Sequence, residues 1–268
     1  METIAADLRP HVVGRRIENA DLRFPTIVRH PEPEAFVEGV TGRTVEALTR
    51  RGKYLLFHLE GGYLMVVHLG MTGHLGMFVP AETLAPHVHA VFWLDDGRQL
   101  RYRDPRRFGR LLFGTEADLL AHRAIPKLGP EPIDDAFTAA DLYRRLSRRR
   151  APLKALLLDQ AVVAGVGNIY ADESCFRARV RPDRPGSSLS RPAVKRLRAA
   201  LHESLTVAIA NRGSSVDSYR DASGERGRQQ ERLLVYGRAG QPCATCGRPL
   251  ASIRLAGRTT VFCRRCQR

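Results

Sequence analysis

The 268-residue sequence contains no apolar run approaching the roughly 20 residues that a bilayer-spanning helix needs. It opens at Met1 on a polar, helix-like segment without the apolar centre of a secretory signal. These absences exclude a membrane-spanning helix and lead to the expectation of a cytoplasmic protein. Acidic residues are the second scarcity. Asp and Glu number 28 against 43 Lys and Arg, a formal charge of +15, and residues 233–268 hold seven Arg and no acid at all. Further basic clusters at residues 101–110 and 144–154 make a footprint on a polyanion a better account than general basicity, because clustered cations bind nucleic acid by releasing its condensed counterions. No repeat or low-complexity tract interrupts the chain, and 43% hydrophobic residues suffice for real cores, so disorder is not the default.

What is present divides by periodicity. Ile4, Leu8 and Val12 share one face of a short helix over residues 3–12. Residues 54–59 and 63–69 flank Glu60-Gly61-Gly62, and residues 90–94 and 99–102 flank Asp95-Asp96-Gly97, so each pair reads as a hairpin. A sandwich or barrel follows. Near residues 125–132 Pro and Gly become dense, and beyond them the period changes from two to 3.6. Thr138 can cap a helix through Leu142 and Leu146, residues 152–160 give another, and a longer one after Ser190 buries Val194, Leu197, Leu201 and Leu205. Residues 213–231 are polar and read as a loop that is either a connector or a lid. The expected fold is α+β: a β-sandwich over residues 1–124, a helical domain over 125–232 and a metal-binding hairpin over 233–268.

Only five cysteines occur, and four of them stand as Cys243-x2-Cys246-x16-Cys263-x2-Cys266. Each close pair chelates from one tight turn, and the intervening residues close a hairpin that brings four thiolates to one tetrahedral ion. Disulfides are the alternative, disfavoured in a cytoplasmic chain that also keeps an isolated Cys175. Zn²⁺ with four sulfur ligands has no open position, so its role is structural, and the hairpin would aim Arg254, Arg258, Arg264 and Arg265 at phosphates.

Residues 8–17 (LRPHVVGRRI), 51–56 (RGKYLL), 68–73 (HLGMTG), 101–109 (RYRDPRRFG), 128–132 (LGPEP), 163–173 (VAGVGNIYADE) and 235–238 (VYGR), with the cysteine hairpin, occur in an order that resembles the bacterial formamidopyrimidine-DNA glycosylase and endonuclease VIII family. The LGPEP and VYGR segments lean toward the formamidopyrimidine branch. The resemblance implies a β-sandwich, a helix-two-turns-helix domain and a zinc finger, with double-stranded DNA in the cleft between and monomeric action. It implies base-excision repair: removal of 8-oxoguanine and formamidopyrimidines, then cleavage of the abasic strand by β- and δ-elimination. Met71, Arg106 and Phe108 match the side chains that fill the gap left by the flipped nucleotide, as a thioether, a guanidinium and an aromatic ring can. Read bare, Met71 and Phe108 would be core residues. His87, Arg106, Arg149 and Asn168 match DNA-contacting positions, Lys53 a lysine tied to the lesion site and β-elimination, and Arg258 an arginine tied to δ-elimination. Taken alone, Lys53 and Arg149 are solvated cations.

Family members begin Pro-Glu-Leu-Pro-Glu-Val-Glu-Thr, with the proline amine as nucleophile and the first glutamate as acid and base. Here Met1-Glu2-Thr3 aligns with the end of that motif, so Glu2 is not given the catalytic role, and a translation start further upstream is the expectation. The alternative is a catalytically impaired lesion-binding protein. A third reading, a zinc ribbon binding RNA or a transcription complex, explains the charge and the cysteines but not Met71, Arg106 and Phe108.

Overall fold

The computed structural model describes residues 1–121, 127–214 and 227–268. The boundary expected at 124/125 and residues 215–226 of the polar loop lie outside the described residues. The chain forms two compact units, Met1–Pro126 with Asn211–Gln230, and Lys127–Ala210 with Glu231–Arg268.

In the first unit, α1 (Glu2–Val12) buries Ile4, Leu8 and Val12 as their spacing requires. It is followed by β1 (Ile17–Leu22), β2 (Val28–His30), α2 (Pro33–Val40), β3 (Val45–Arg51), β4 (Tyr54–Leu59), β5 (Tyr63–His68), β6 (His74–Phe78), β7 (Val88–Leu94), β8 (Gln99–Arg103), β9 (Arg110–Thr115) and α3 (Glu116–Ala121). A five-stranded sheet, β2-β9-β5-β4-β3, and a four-stranded sheet, β1-β7-β8-β6, form the sandwich. All pairings are antiparallel except that of β2 with β9. Leu55, Phe57, Met65, Val67 and Leu111 from one sheet and Leu75, Ala90, Phe92, Leu100 and Tyr102 from the other share one core. Both expected hairpins are present as β4–β5 and β7–β8. β2 is too short for a period-two signal, and β6 carries Gly76 at its centre, so neither was legible.

The second unit opens with α4 (Ala139–Leu146), where Thr138 and Asp141 form a reciprocal capping box. It continues through α5 (Leu153–Leu158), α6 (Asn168–Arg177) and α7 (Arg191–Ala210), which pack around Leu142, Leu157, Val163, Leu197 and Leu201. Cys175 lies fully buried in this core, as a small apolar residue. The unit ends in an antiparallel hairpin, β10 (Ala251–Leu255) and β11 (Arg258–Phe262). Ala256 and Gly257 turn it with positive φ at both positions, the backbone that matches the twist of a tight hairpin.

Helix α2 lies on the Phe113 ring at Gly39, where a Cβ would come 2.1 Å from Cε1. Gly39→Ala is expected to overpack this contact at a cost of about 1–3 kcal/mol, offset in part by roughly 1 kcal/mol of helix propensity. Urea unfolding should give a lower midpoint with an unchanged slope, and an unchanged midpoint would mean that the ring moves aside freely.

Candidate nucleic-acid interface and metal centre

Strand register gathers cations at one end of the sandwich. Across the five-stranded sheet Arg51 pairs with Tyr54, Tyr54 with His68, and His68 with Arg110, with Lys53 in the β3–β4 turn beside them. Across the other sheet Arg103 pairs with both His74 and Val88, which follows the exposed His87. Two of the chain's crossings between the sheets at this end lie side by side. Residues 69–73 lead from β5 to β6, and residues 104–109 lead back from β8 to β9. The first crossover carries Met71, 54% exposed, and the second carries Arg106 and Phe108, the latter 51% exposed. Two large apolar side chains in water beside a cationic row are a recognition feature rather than core, so the bare reading of Met71 and Phe108 as core residues is overturned. The Arg106 guanidinium lies 4.8 Å from the centroid of the Phe108 ring.

Asp104 holds the second crossover to the first. Its fully buried carboxylate accepts hydrogen bonds from Thr72 Oγ1 at 2.5 Å, Gly109 N at 2.8 Å, and Arg106 N and Tyr102 Oη at 3.3 Å. Burial alone would raise its pKa, but the bonds from Thr72 and from the backbone of Gly109, Arg106 and Phe108 outweigh burial and hold it below the ordinary carboxylate range. The crossovers also touch backbone to backbone. Gly70 has φ +61°, and a Cβ there would meet Phe108 C at 2.7 Å and Gly109 N at 2.8 Å.

His68 begins the first crossover, its Nδ1 accepting the Gly70 N–H at 3.2 Å, so the ring must be neutral at that nitrogen. Burial, reinforced by the charges of Arg110 and Lys53, pushes its pKa down to about 4.

In the second unit Asn168 is the first residue of α6, behind the Gly167 cap, and its Oδ1 is buried without a hydrogen-bond partner. Arg149 is exposed and approaches Asp159 at 3.3 Å. Two members of the basic clusters read from the sequence are not surface cations. Arg101 is buried, donating to the carbonyls of Val79 and Glu82 and lying over the Phe78 ring. Lys154 is fully buried against Asp172 at 2.7 Å and donates to Thr259 O at 2.8 Å. Desolvation is the largest influence on this pair, lowering the lysine pKa and raising that of Asp172 to about 6, while the contact between the two groups opposes both shifts.

These contacts tie α6 to the hairpin. Asp172 Oδ2 accepts the Val261 N–H at 3.1 Å, and the Glu173 carboxylate gathers the N–H groups of Leu234, Val235 and Tyr236 at 2.9 to 3.0 Å. Arg258 stands exposed at the start of β11, next to Thr259.

The four sulfur atoms of Cys243, Cys246, Cys263 and Cys266 lie within 4.8 Å of one another, and no cysteine is in a disulfide. Cys243 to Cys266 is 3.9 Å and Cys246 to Cys263 is 3.5 Å. Zinc–sulfur bonds of about 2.3 Å at tetrahedral angles put sulfurs about 3.8 Å apart, so the set fits one zinc ion. The N–H groups of Thr245 and Cys266 point at Cys243 and Cys263 sulfur at 3.4 Å each, which stabilises thiolate charge.

Comparison with known proteins agrees with this arrangement. Family models match for the formamidopyrimidine-DNA glycosylase N-terminal domain over residues 1–111, the formamidopyrimidine-DNA glycosylase H2TH domain over 128–220, and the zinc finger found in FPG and IleRS over 240–268. The chain belongs to the formamidopyrimidine-DNA glycosylase family. The formamidopyrimidine-DNA glycosylase of Moorella thermoacetica is 49% identical over 254 residues, 95% of this chain and 93% of that protein. Among solved structures, a Lactococcus lactis FPG mutant in complex with a Fapy-dG containing DNA superposes with TM-score 0.93 at 32% identity, covering 100% of this chain and 97% of that one. The Lactococcus lactis Fpg in complex with an abasic site containing DNA gives TM-score 0.92 at 31% identity, with the same coverage.

The family's expected side chains fall in both units. Met71, His87, Arg106 and Phe108 stand at the crossover end of the sandwich with Lys53, and Arg149, Asn168 and Arg258 stand in the helical and zinc-bearing unit. The buried acids Asp104, Asp172 and Glu173 went unread. No local pattern marks them: Asp104 lies between Arg103 and Pro105, and Asp172 and Glu173 adjoin each other between Ala171 and Ser174.

Two tests follow from this geometry. The unfolded chain protonates a histidine near pH 6.5, whereas folded His68 resists to about 4, so the unfolded state binds more protons in that interval. The stability His68 contributes is full above pH 6.5 and is lost as pH falls toward 4. The stability difference between wild type and His68→Gln should therefore shrink over that range, with other acid effects cancelling, and a constant difference would show ordinary titration. Separately, Cys246→Ser should lower bound zinc from about one ion per chain and melt the hairpin, as metal assay and proteolysis would report. Full zinc content in the variant would exclude this site.

Proposed function

We propose that this chain is a base-excision-repair enzyme, a bifunctional DNA glycosylase and abasic-site lyase that removes oxidised purines from duplex DNA and cleaves the strand by β,δ-elimination. The observation that carries the proposal is the exposed Met71, Arg106 and Phe108 on two crossovers that hydrogen bond to each other, in a chain of this family. Three side chains held at one tip can enter the space of an extruded nucleotide and replace its stacking, offsetting a cost of roughly a few kcal/mol. The cationic row and His87 supply phosphate contacts. Asn168, at a helix N-terminus with an unpartnered oxygen, and the exposed Arg149 add others on the second unit.

In this proposal Lys53 serves the lesion site and β-elimination, and Arg258 the δ-elimination step. The domain limits 1–124, 125–232 and 233–268, monomeric action, and a cytoplasmic, nucleoid-associated location belong to the same reading. No described helix is long and apolar enough to cross a membrane. The matched relatives carry glycosylase names and lend no support to a lesion binder without chemistry.

The test compares this chain with a form carrying Pro-Glu-Leu-Pro-Glu before residue 1, so that Met1 keeps the place of the motif's valine, on a duplex containing one 8-oxoguanine. The extended form should release the base, nick the strand and be trapped covalently by borohydride, through reduction of the Schiff base joining its amine to the sugar C1′. Arg258→Ala in that form should leave β-elimination product in place of δ-product. An extended form that binds the duplex but neither traps nor nicks would overturn the enzyme reading.

A further inference from the structure

The two crossovers leave different strands and could move separately, yet one buried carboxylate spans them. Asp104 Oδ1 takes the Thr72 hydroxyl of the first crossover and the Arg106 N–H of the second, while Oδ2 takes the Gly109 N–H at the end of the second. Thr72 Oγ1 closes the link by also accepting the Arg106 N–H at 3.3 Å. The Asp104 backbone is pinned in turn: its carbonyl accepts from His89 Nε2 at 2.8 Å and its N–H donates to His87 O at 3.0 Å. Arg106 and Phe108 thus rise between two backbone amides fixed to one carboxylate, and Met71 stands one residue from the hydroxyl bound to the same group.

We propose that Asp104 is the positioning residue that makes Met71, Arg106 and Phe108 a single wedge, so that extrusion of a stacked base depends on it. Asp104 does not touch DNA in this scheme. It acts by keeping the wedge assembled before binding, so that none of the ordering is left for the moment of insertion. The dependence has a direction. A duplex whose lesion still carries a base must be unstacked and filled, whereas an abasic analogue presents no base to displace and needs the assembled wedge less. The inference rests on the gap-filling role given to the three side chains above.

The test needs no turnover. Binding of the protein to a duplex with 8-oxoguanine and to the same duplex with a tetrahydrofuran abasic analogue is measured for wild type, Asp104→Asn, Thr72→Val, Met71→Ala and Phe108→Ala. A 2-aminopurine beside the lesion reports unstacking, and thermal unfolding is followed in parallel. Asp104→Asn keeps the size but cannot accept at both oxygens, and Thr72→Val removes one hydroxyl, which guards against a variant that fails to fold. We expect both to weaken 8-oxoguanine binding by about ten-fold, with a reduced 2-aminopurine signal, while binding to the abasic analogue changes by less than about two-fold. Equal losses on the two duplexes, tracking the fall in melting temperature, would overturn the proposal in favour of a purely structural carboxylate. If Met71→Ala and Phe108→Ala leave 8-oxoguanine binding and the 2-aminopurine signal unchanged, the gap-filling reading itself fails. If they weaken 8-oxoguanine binding selectively while Asp104→Asn and Thr72→Val do not, only the positioning role fails.

Discussion

Buried carboxylates that accept backbone N–H groups stand at the root of three of the basic segments. Asp104 does this for the crossover bearing Arg106, Asp172 for the strand bearing Arg258, and Glu173 for the turn that leads into the zinc-binding region. The chemistry follows from the charge. In a chain of +15, segments rich in arginine repel one another, and apolar packing alone would let them splay. An ionised carboxylate makes strong hydrogen bonds to amides in a low-dielectric setting and offsets part of the local positive potential. Asp104, Asp172 and Glu173 thus hold basic segments from within, while other acids pair with arginines at the surface, as Asp159 does with Arg149.

The zinc set extends the same logic to a segment with no acids of its own. Residues 233–268 contain seven arginines, and their small core of Val235, Leu250 and Val261 is built around Cys243 and Cys263, so four thiolates on one cation reinforce a core too small to hold the segment alone. Lys154 and Asp172 then fasten the hairpin to the helical core through Thr259 and Val261. Removing one partner would leave a buried charge unpaired, which costs more than the pair contributes.

The sequence reading was strongest where a period or a spacing carried the signal. The amphipathic face of α1, the two hairpins with Gly-containing turns, the Thr138 cap and the cysteine spacing are local patterns, and each appears in the structure. It was weakest where meaning depends on partners distant in sequence. Arg101 and Lys154 looked like surface cations because they sit in basic runs, yet their guanidinium and ammonium groups are satisfied by Val79, Glu82, Asp172 and Thr259. Asp104 and Glu173 were passed over for the same reason: their bonds reach loops that no local pattern links to them. The exposed Met71 and Phe108 came from family resemblance alone, because composition places such residues inside.

The crossovers give the sandwich a second use. Each leaves one sheet and enters the other, so the span between their ends is fixed by how far apart two packed sheets stand, about 10 Å. Core side chains such as Phe57, Met65 and Phe92 therefore act as a spacer for the tip as well as a source of stability. A substitution that thickens or thins the core reaches the crossovers as a change of gauge. The protein meets its partner with a feature calibrated by its own interior, so that interior volume and surface recognition are one inherited dimension rather than two.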